Sequence, residues 1–262
     1  MSTEQIRFND GAAYERYMGV WSQKAGTAFL DWLAPEPGLR WLDIGCGNGA
    51  FTEMLLDRCA PSGVDGIDPS EAQLAYATTR LAARGARFQR GDAMHLPFDD
   101  DTFGAAVMPL VIFFVPEPAR GVAEMTRVVR GGGIVSAYAW DMAGAGFPYA
   151  VMASELRNMG FAVPEAPSPQ ASRLETMREL WEGAGLTDVD THVITVERTF
   201  ESFDEYWTIL LLAPSAGPTL AKLTSDESAR LQTALRERLP ADANGRITYS
   251  SRAHAVKGRI VR

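Results

Sequence analysis

A chain of 262 residues has room for one elaborated domain or a core with a small cap, and its 46% hydrophobic and 22% charged residues, with 24 Gly and 15 Pro, exclude collagen-like, coiled-coil and disordered classes. The 25 Lys+Arg against 33 Asp+Glu leave a net charge of −8, which opposes a polyanionic partner such as nucleic acid. The longest apolar run, from Ala105 to Val115, contains Pro109 and falls short of the roughly 18 to 20 residues of a membrane span, and the polar start lacks the features of a signal peptide, so the expectation is a cytoplasmic protein with no membrane partner.

In chain order, 1–37 reads as an N-terminal helical lid. Over 38–142 short apolar runs alternate with helix-like segments, the pattern of a parallel sheet with crossover helices, and strands are predicted at 40–44, 63–67, 86–90, 104–110 and 134–140. Ser70 with Gln73 marks a helix start, Leu74, Ala77 and Leu81 continue it at helical spacing, and Gly85 can close it. Pro118 opens a further helix over 118–130. The Gly- and Pro-rich passage 143–170 breaks the alternation around a short helix at 148–159, and a sixth strand at 188–199 completes a connecting segment, 143–199. Ser172 with Glu175, Ser202 with Glu205 and Thr224 with Glu227 mark three more helix starts, the last two inside a helical cap over 200–245. The Asn244-Gly245 turn signal then leads into a last strand in 246–262, read as antiparallel. The sum is an α/β fold with a doubly wound, Rossmann-like, seven-stranded and mostly parallel sheet whose last strand is antiparallel.

Cys46 and Cys59 form no Cys-x-x-Cys pair and the chain has only 3 His, so neither a disulfide framework nor a metal site is expected. The most informative stretch is Trp41-Leu-Asp-Ile-Gly45-Cys-Gly47-Asn-Gly49-Ala50, in which a buried strand runs into a glycine-rich turn and a helix. Alone it also satisfies the Gly-x-Gly-x-x-Gly/Ala dinucleotide pattern, so an NAD-dependent oxidoreductase is one reading. Three acids separate the possibilities. Asp43, read as pointing into the turn, suits a cationic ligand and opposes a pyrophosphate. Asp68, at the end of the second strand, can accept hydrogen bonds from ribose hydroxyls, and Asp92, at the end of the third, can accept from an exocyclic amine. No Tyr-x-x-x-Lys pair is present to serve a dehydrogenase.

With these residues the sequence resembles the class I S-adenosylmethionine-dependent methyltransferases. Trp41 to Ala50 looks like their first motif, Gly66-Ile-Asp68-Pro-Ser70 like their ribose-binding motif, and Gly91-Asp92-Ala93 with Leu96-Pro97-Phe98 like their adenine loop. Glu124-Met-Thr-Arg127-Val-Val-Arg130-Gly-Gly-Gly133 is similar to the turn before their fifth strand, although Gly131 stands where the family usually has Pro and Gly104 where it has Asp. More loosely, Tyr14 to Ser22 and Arg198 to Trp207 resemble a small-molecule subgroup related to quinone-biosynthesis methyltransferases. The resemblance implies S-adenosylmethionine as cofactor, S-adenosylhomocysteine as product, and binding residues Tyr17, Asp43, Gly45, Gly47, Asp68, Pro69, Asp92, Ala93, Met94 and Met108.

The methyl acceptor should sit over the strand ends, where Phe113, Trp140, Tyr149 and Trp207 are the predicted lining, joined by Phe114, Met142, Phe147 and Tyr206. That lining favours a small apolar or aromatic metabolite. His95 reads as a solvent-facing loop residue, His192 and His254 fall in late strands, and no catalytic base stands out. Gly144 and Gly146 could hinge a lid over the site. Arg246, Arg252, Lys257, Arg259 and Arg262 read as the solvated edge of the last strand. A sensor or partner subunit that binds the cofactor without turnover is the alternative from a different class, and the sequence is compatible with a monomer or a homodimer.

Overall fold

The computed structural model describes residues 15–213, 216–239 and 241–261; Tyr14, Arg262 and the beginning of the expected lid lie outside them. A π-helical turn, Glu15–Gly19, leads into α1 (Val20–Leu33). The core then follows as β1 (Arg40–Ile44), α2 (Ala50–Arg58), β2 (Gly63–Asp68), α3 (Glu71–Leu81), β3 (Arg87–Arg90), β4 (Phe103–Pro109), α4 (Pro118–Val128) and β5 (Val129–Trp140). Beyond it come α5 (Ala150–Asn158), α6 (Leu174–Gly183), β6 (Thr187–Phe200), the cap helices α7 (Phe203–Leu210), α8 (Gly217–Leu220) and α9 (Ser225–Arg238), and β7 (Ile247–Arg259).

The strands form one seven-stranded sheet in the order β3-β2-β1-β4-β5-β7-β6. The first five are parallel, and β7 runs antiparallel to both β5 and β6. β1 and β4 are covered on both faces, which accounts for the apolar run of β4 and for the burial of β1 from Trp41 to Ile44, Asp43 included. Successive residues of β7 meet different helices: Lys257 lies over the Trp32 ring of α1, while Gly258 abuts Trp181 of α6. Side chains alternate across a strand, so α1 and α6 cover opposite faces of the sheet.

From β1 the order proceeds outward to β3 on one side and to β4 and β5 on the other. This reversal opens a crevice beyond the carboxyl ends of β1 and β4, where open α/β sheets bind ligands.

Three local expectations need correction. Ser172 does not cap α6; its hydroxyl accepts from the Met142 N–H at 3.0 Å and donates to the Pro169 carbonyl at 2.7 Å, and Arg173 takes the capping position without a side-chain bond. β5 begins at Val129 because the glycine run, with Gly132 at φ 74°, bulges without leaving the sheet, the Gly132 N–H donating to the Ile260 carbonyl and the Ile260 N–H to that of Gly133. β7 is an interior strand, and its cations have partners: Arg252 with Asp141, Lys257 with Asp190 at 4.0 Å, and Arg259 with the Gly132 carbonyl.

Candidate active site

β1 leads into Gly45, whose φ of 73° belongs to the left-handed region and whose N–H donates to the Ile67 carbonyl at 2.8 Å. A side chain there would overlap the methyl groups of Val111, so glycine lets this turn close on the segment after β4. At Gly47 the opposite holds: no atom lies within 4 Å of where a Cβ would be, and the outer side of the turn is open.

Asp68, the last residue of β2, fixes this geometry. Its Oδ2 accepts from the Gly47 N–H at 3.0 Å and its Oδ1 from the Ser70 N–H at 2.8 Å. Each oxygen keeps a second acceptor site. Burial raises the Asp68 pKa, and those two hydrogen bonds oppose the rise. Pro69 is exposed beside it. One strand further out, Asp92 is exposed and its Oδ1 accepts from the Met94 N–H at 2.8 Å, with Ala93 and Met94 half-buried behind it. The open glycine turn after β1, followed by carboxylates at the ends of the neighbouring β2 and β3, fits a nucleoside with ribose hydroxyls and an exocyclic amine, without phosphate.

Asp43 sits differently from its sequence-based placement. It is fully buried beneath the turn, where its Oδ2 accepts from the Thr52 hydroxyl of α2 at 2.6 Å and its Oδ1 has no partner. Burial pushes its pKa up to about 7, with the Thr52 hydrogen bond opposing and the charge of Asp68 adding. With no exposed surface it supports the turn from behind. Met108 is also fully buried, packed toward Gly121 of α4 as a core side chain.

The loop carrying Asp92 is held by two residues whose role the sequence did not reveal. Glu124 of α4 accepts from the Leu96 N–H at 2.8 Å, and Arg127 donates to the carbonyls of Leu96 at 3.0 Å and Phe98 at 2.8 Å. Arg127 also pairs with Glu124 and Asp100, and its hydrogen bonds to Glu124 hold that carboxyl below its ordinary pKa.

Adjoining the crevice is a cavity of about 270 Å³. The Leu110–Val111 segment joins the two, since Val111 faces Gly45 and Leu110, at φ 60°, lines the cavity. Phe113 and Trp140 line it as expected, together with Phe114, Met142 and Phe147. Tyr17 lines it too, from the turn before α1, and stacks on Tyr149 with ring centroids 4.3 Å apart. Tyr149 is fully buried behind Tyr17, its hydroxyl donating to the Tyr17 carbonyl at 2.8 Å. Trp207 does not reach the cavity; it stacks on Phe203 within the cap.

Among the described residues, no histidine or lysine lines the cavity. His95 is in the Asp92 loop, His192 stacks on Trp32, and the His254 Nδ1 lies 2.8 Å from the Ser172 carbonyl. Burial pushes the Tyr149 hydroxyl up to about 12 and raises that of Tyr206 further, so neither supplies a phenolate near neutral pH.

The wall from Met142 to Phe147 is tied down by Asp141, which the sequence also did not single out. Its Oδ1 accepts from the Gly144 N–H at 2.7 Å and its Oδ2 from Arg252 of β7 at 2.5 Å. The Gly146 N–H donates to the Asp141 carbonyl and the Arg252 N–H to that of Gly146. Side chains at Gly144 and Gly146 would strike Asp141 and the Arg252 backbone, so these glycines serve close packing as well as any hinge. A second depression of about 470 Å³, between α1 and β6, is open to solvent and gathers no comparable constellation.

Residues 42–137, which span β1 to β5, match the family described as a methyltransferase domain. Among curated relatives, the chain is 40% identical over 96 residues to 2-methyl-6-phytyl-1,4-hydroquinone methyltransferase 2 of Oryza sativa, covering 37% of this chain and 28% of that protein. It is 38% identical over 104 residues to a demethylmenaquinone methyltransferase of Bacillus cytotoxicus, covering 38% of this chain and 44% of that protein. The chain thus spans less than half the length of either relative. The phosphoethanolamine N-methyltransferase 2 of Haemonchus contortus, solved with S-adenosylhomocysteine, shares the fold with a TM-score of 0.59 at 19% identity, over 96% of this chain and 57% of that one.

Proposed function

We propose that this chain, which carries a class I methyltransferase domain, transfers a methyl group from S-adenosylmethionine to a small apolar or aromatic metabolite of the hydroquinone kind. The observation that carries the reading is the shared wall at Leu110–Val111, which sets the crevice of the glycine turn beside an aromatic cavity.

Asp68 accepts the ribose hydroxyls while its bonds to Gly47 and Ser70 fix it in place. Asp92 accepts the adenine amine, and Asp43 positions the turn through Thr52 without touching the ligand. When bound, the cofactor's sulfonium supplies an already activated methyl group. The chain's task is then to align the acceptor and keep water away, and alignment of this kind can lower a barrier by roughly 7 to 11 kcal/mol. Tyr17, Phe113 and Trp140 hold the acceptor's ring. No histidine or lysine is in the described lining, and its one carboxylate, Glu165, is the group that can take up the proton the acceptor loses. No helix among the described residues is long and apolar enough to cross a membrane. We place the protein in the cytosol, where the free thiols Cys46 and Cys59 suit a reducing compartment.

Calorimetric titration with S-adenosylmethionine, S-adenosylhomocysteine and reduced nicotinamide dinucleotide tests the cofactor. One-to-one binding of the first two alone is expected, and binding of the nicotinamide alone would overturn the assignment. Mass analysis of a hydroquinone panel incubated with labelled S-adenosylmethionine then tests turnover; cofactor binding with no methylated product across the panel would favour a sensor or partner subunit.

A further inference from the structure

The cavity is largely apolar and aromatic; its lining side chains with charged or amide groups are Gln170, Arg157 of α5 and Glu165, the Arg157 Nη2 donating to Glu165 Oε1 at 2.9 Å. Arg157 is the only cation among the described lining residues. The bond to Glu165 uses one of the five N–H donors of a guanidinium. The side chains are 47% and 64% exposed, so the pair contributes little to stability and leaves the guanidinium accessible from the cavity. Arg157 thus offers accessible donors in a wall that otherwise recognises rings.

We infer that Arg157 is the specificity-determining residue of this cavity, receiving a carbonyl or hydroxyl oxygen on the ring-bearing methyl acceptor while Glu165 holds the guanidinium at the mouth. Because Glu165 already neutralises Arg157, the site favours an uncharged oxygen over a carboxylate. The inference rests on the methyl-transfer reading for what the bound molecule becomes, but its recognition step can be measured alone.

The test is calorimetric titration of the full chain with 1-naphthol and with naphthalene, which share a ring system and differ in one hydroxyl. The native protein is expected to bind 1-naphthol about ten times more tightly. Arg157→Met should reduce that preference to roughly threefold or less without weakening naphthalene, Arg157→Lys should restore part of it, and Glu165→Gln should retain it. An unchanged preference in Arg157→Met, an equal loss for both probes, or no binding of either to the native protein would each overturn the inference. S-adenosylhomocysteine titrated into the same samples separates the two ideas. Its failure to bind the native protein would sink the methyl-transfer reading and leave the naphthol ratio to judge Arg157, whereas its binding alongside an unchanged ratio would sink Arg157 alone.

Discussion

Asp68 does two things at once: it fixes the glycine turn through the Gly47 N–H and presents acceptors toward the crevice. Hydrogen bonds to a charged group are worth about 1.5 to 3 kcal/mol each, so Asp68→Ala is expected to weaken S-adenosylhomocysteine binding at least about tenfold by calorimetry. An unchanged affinity would mean that the crevice has been misplaced. Asp43 makes a different prediction, about stability. Its pKa rises from 3.8 to about 7 on folding, so the folded state holds a proton that the unfolded chain releases between those values. That contribution is complete below about pH 4, declines as pH rises through the interval, and is gone above about 7. At about 1.4 kcal/mol for each pH unit of that interval, the swing is a few kcal/mol at most. Asp43→Asn can still accept the Thr52 hydrogen bond but lacks the titration. The native protein should therefore lose stability relative to this variant between pH 4 and 7 in urea unfolding, and parallel pH curves for the two would refute the account.

Between elements, the contact to test is α4 against the adenine loop. Arg127→Met removes the bonds to the Leu96 and Phe98 carbonyls and leaves Glu124 without its cation. Amide exchange across 92–100 is expected to accelerate, with a loss of about 1 to 3 kcal/mol in unfolding free energy and a weaker grip on the cofactor. Exchange unchanged across that loop would show that Arg127 does not hold it. Elements set by nearby residues were legible in the sequence. Ser70, Ser202 and Thr224 each accept from the backbone N–H three residues on, and Thr224 with Glu227 makes the full reciprocal box. Ser172 carries the same pattern, but Met142, thirty residues away, takes its hydroxyl. The placement of the glycine turn, Asp68 and Asp92 at strand ends was readable because each lies beside its strand in sequence, whereas the burial of Asp43 and Met108 depends on α2 and α4 packing behind them. The acceptor side depends on Asp141 meeting Arg252 and Arg157 meeting Glu165 across loops, and neither contact has a periodicity or spacing to announce it.

For the molecule as a whole, a ligand that binds only the folded chain stabilises it by mass action. At one hundred times its dissociation constant, S-adenosylhomocysteine is expected to add about 2.7 kcal/mol and raise the melting temperature by roughly 5 to 10 °C in a domain of this size. A native protein whose melting is unmoved by saturating ligand would contradict the assigned cofactor. The topology also has a consequence for biosynthesis. β6 joins the sheet solely through β7, since its pairings run along that strand from Thr187–Arg259 to Phe200–Ile247. While the ribosome translates the cap, the nascent chain carries three bare strand edges, the outer side of β5 and both sides of β6. Asp188, Asp190 and Glu197 along β6 place charge on a segment otherwise rich in Val, Ile and Thr, which discourages pairing with other chains during that interval. Ile247–Arg259 covers the β5 edge and the facing edge of β6 in one event, so a ribosome that stalls just short of it leaves an intermediate with a formed cofactor crevice and these two edges open for chaperones or proteases to engage.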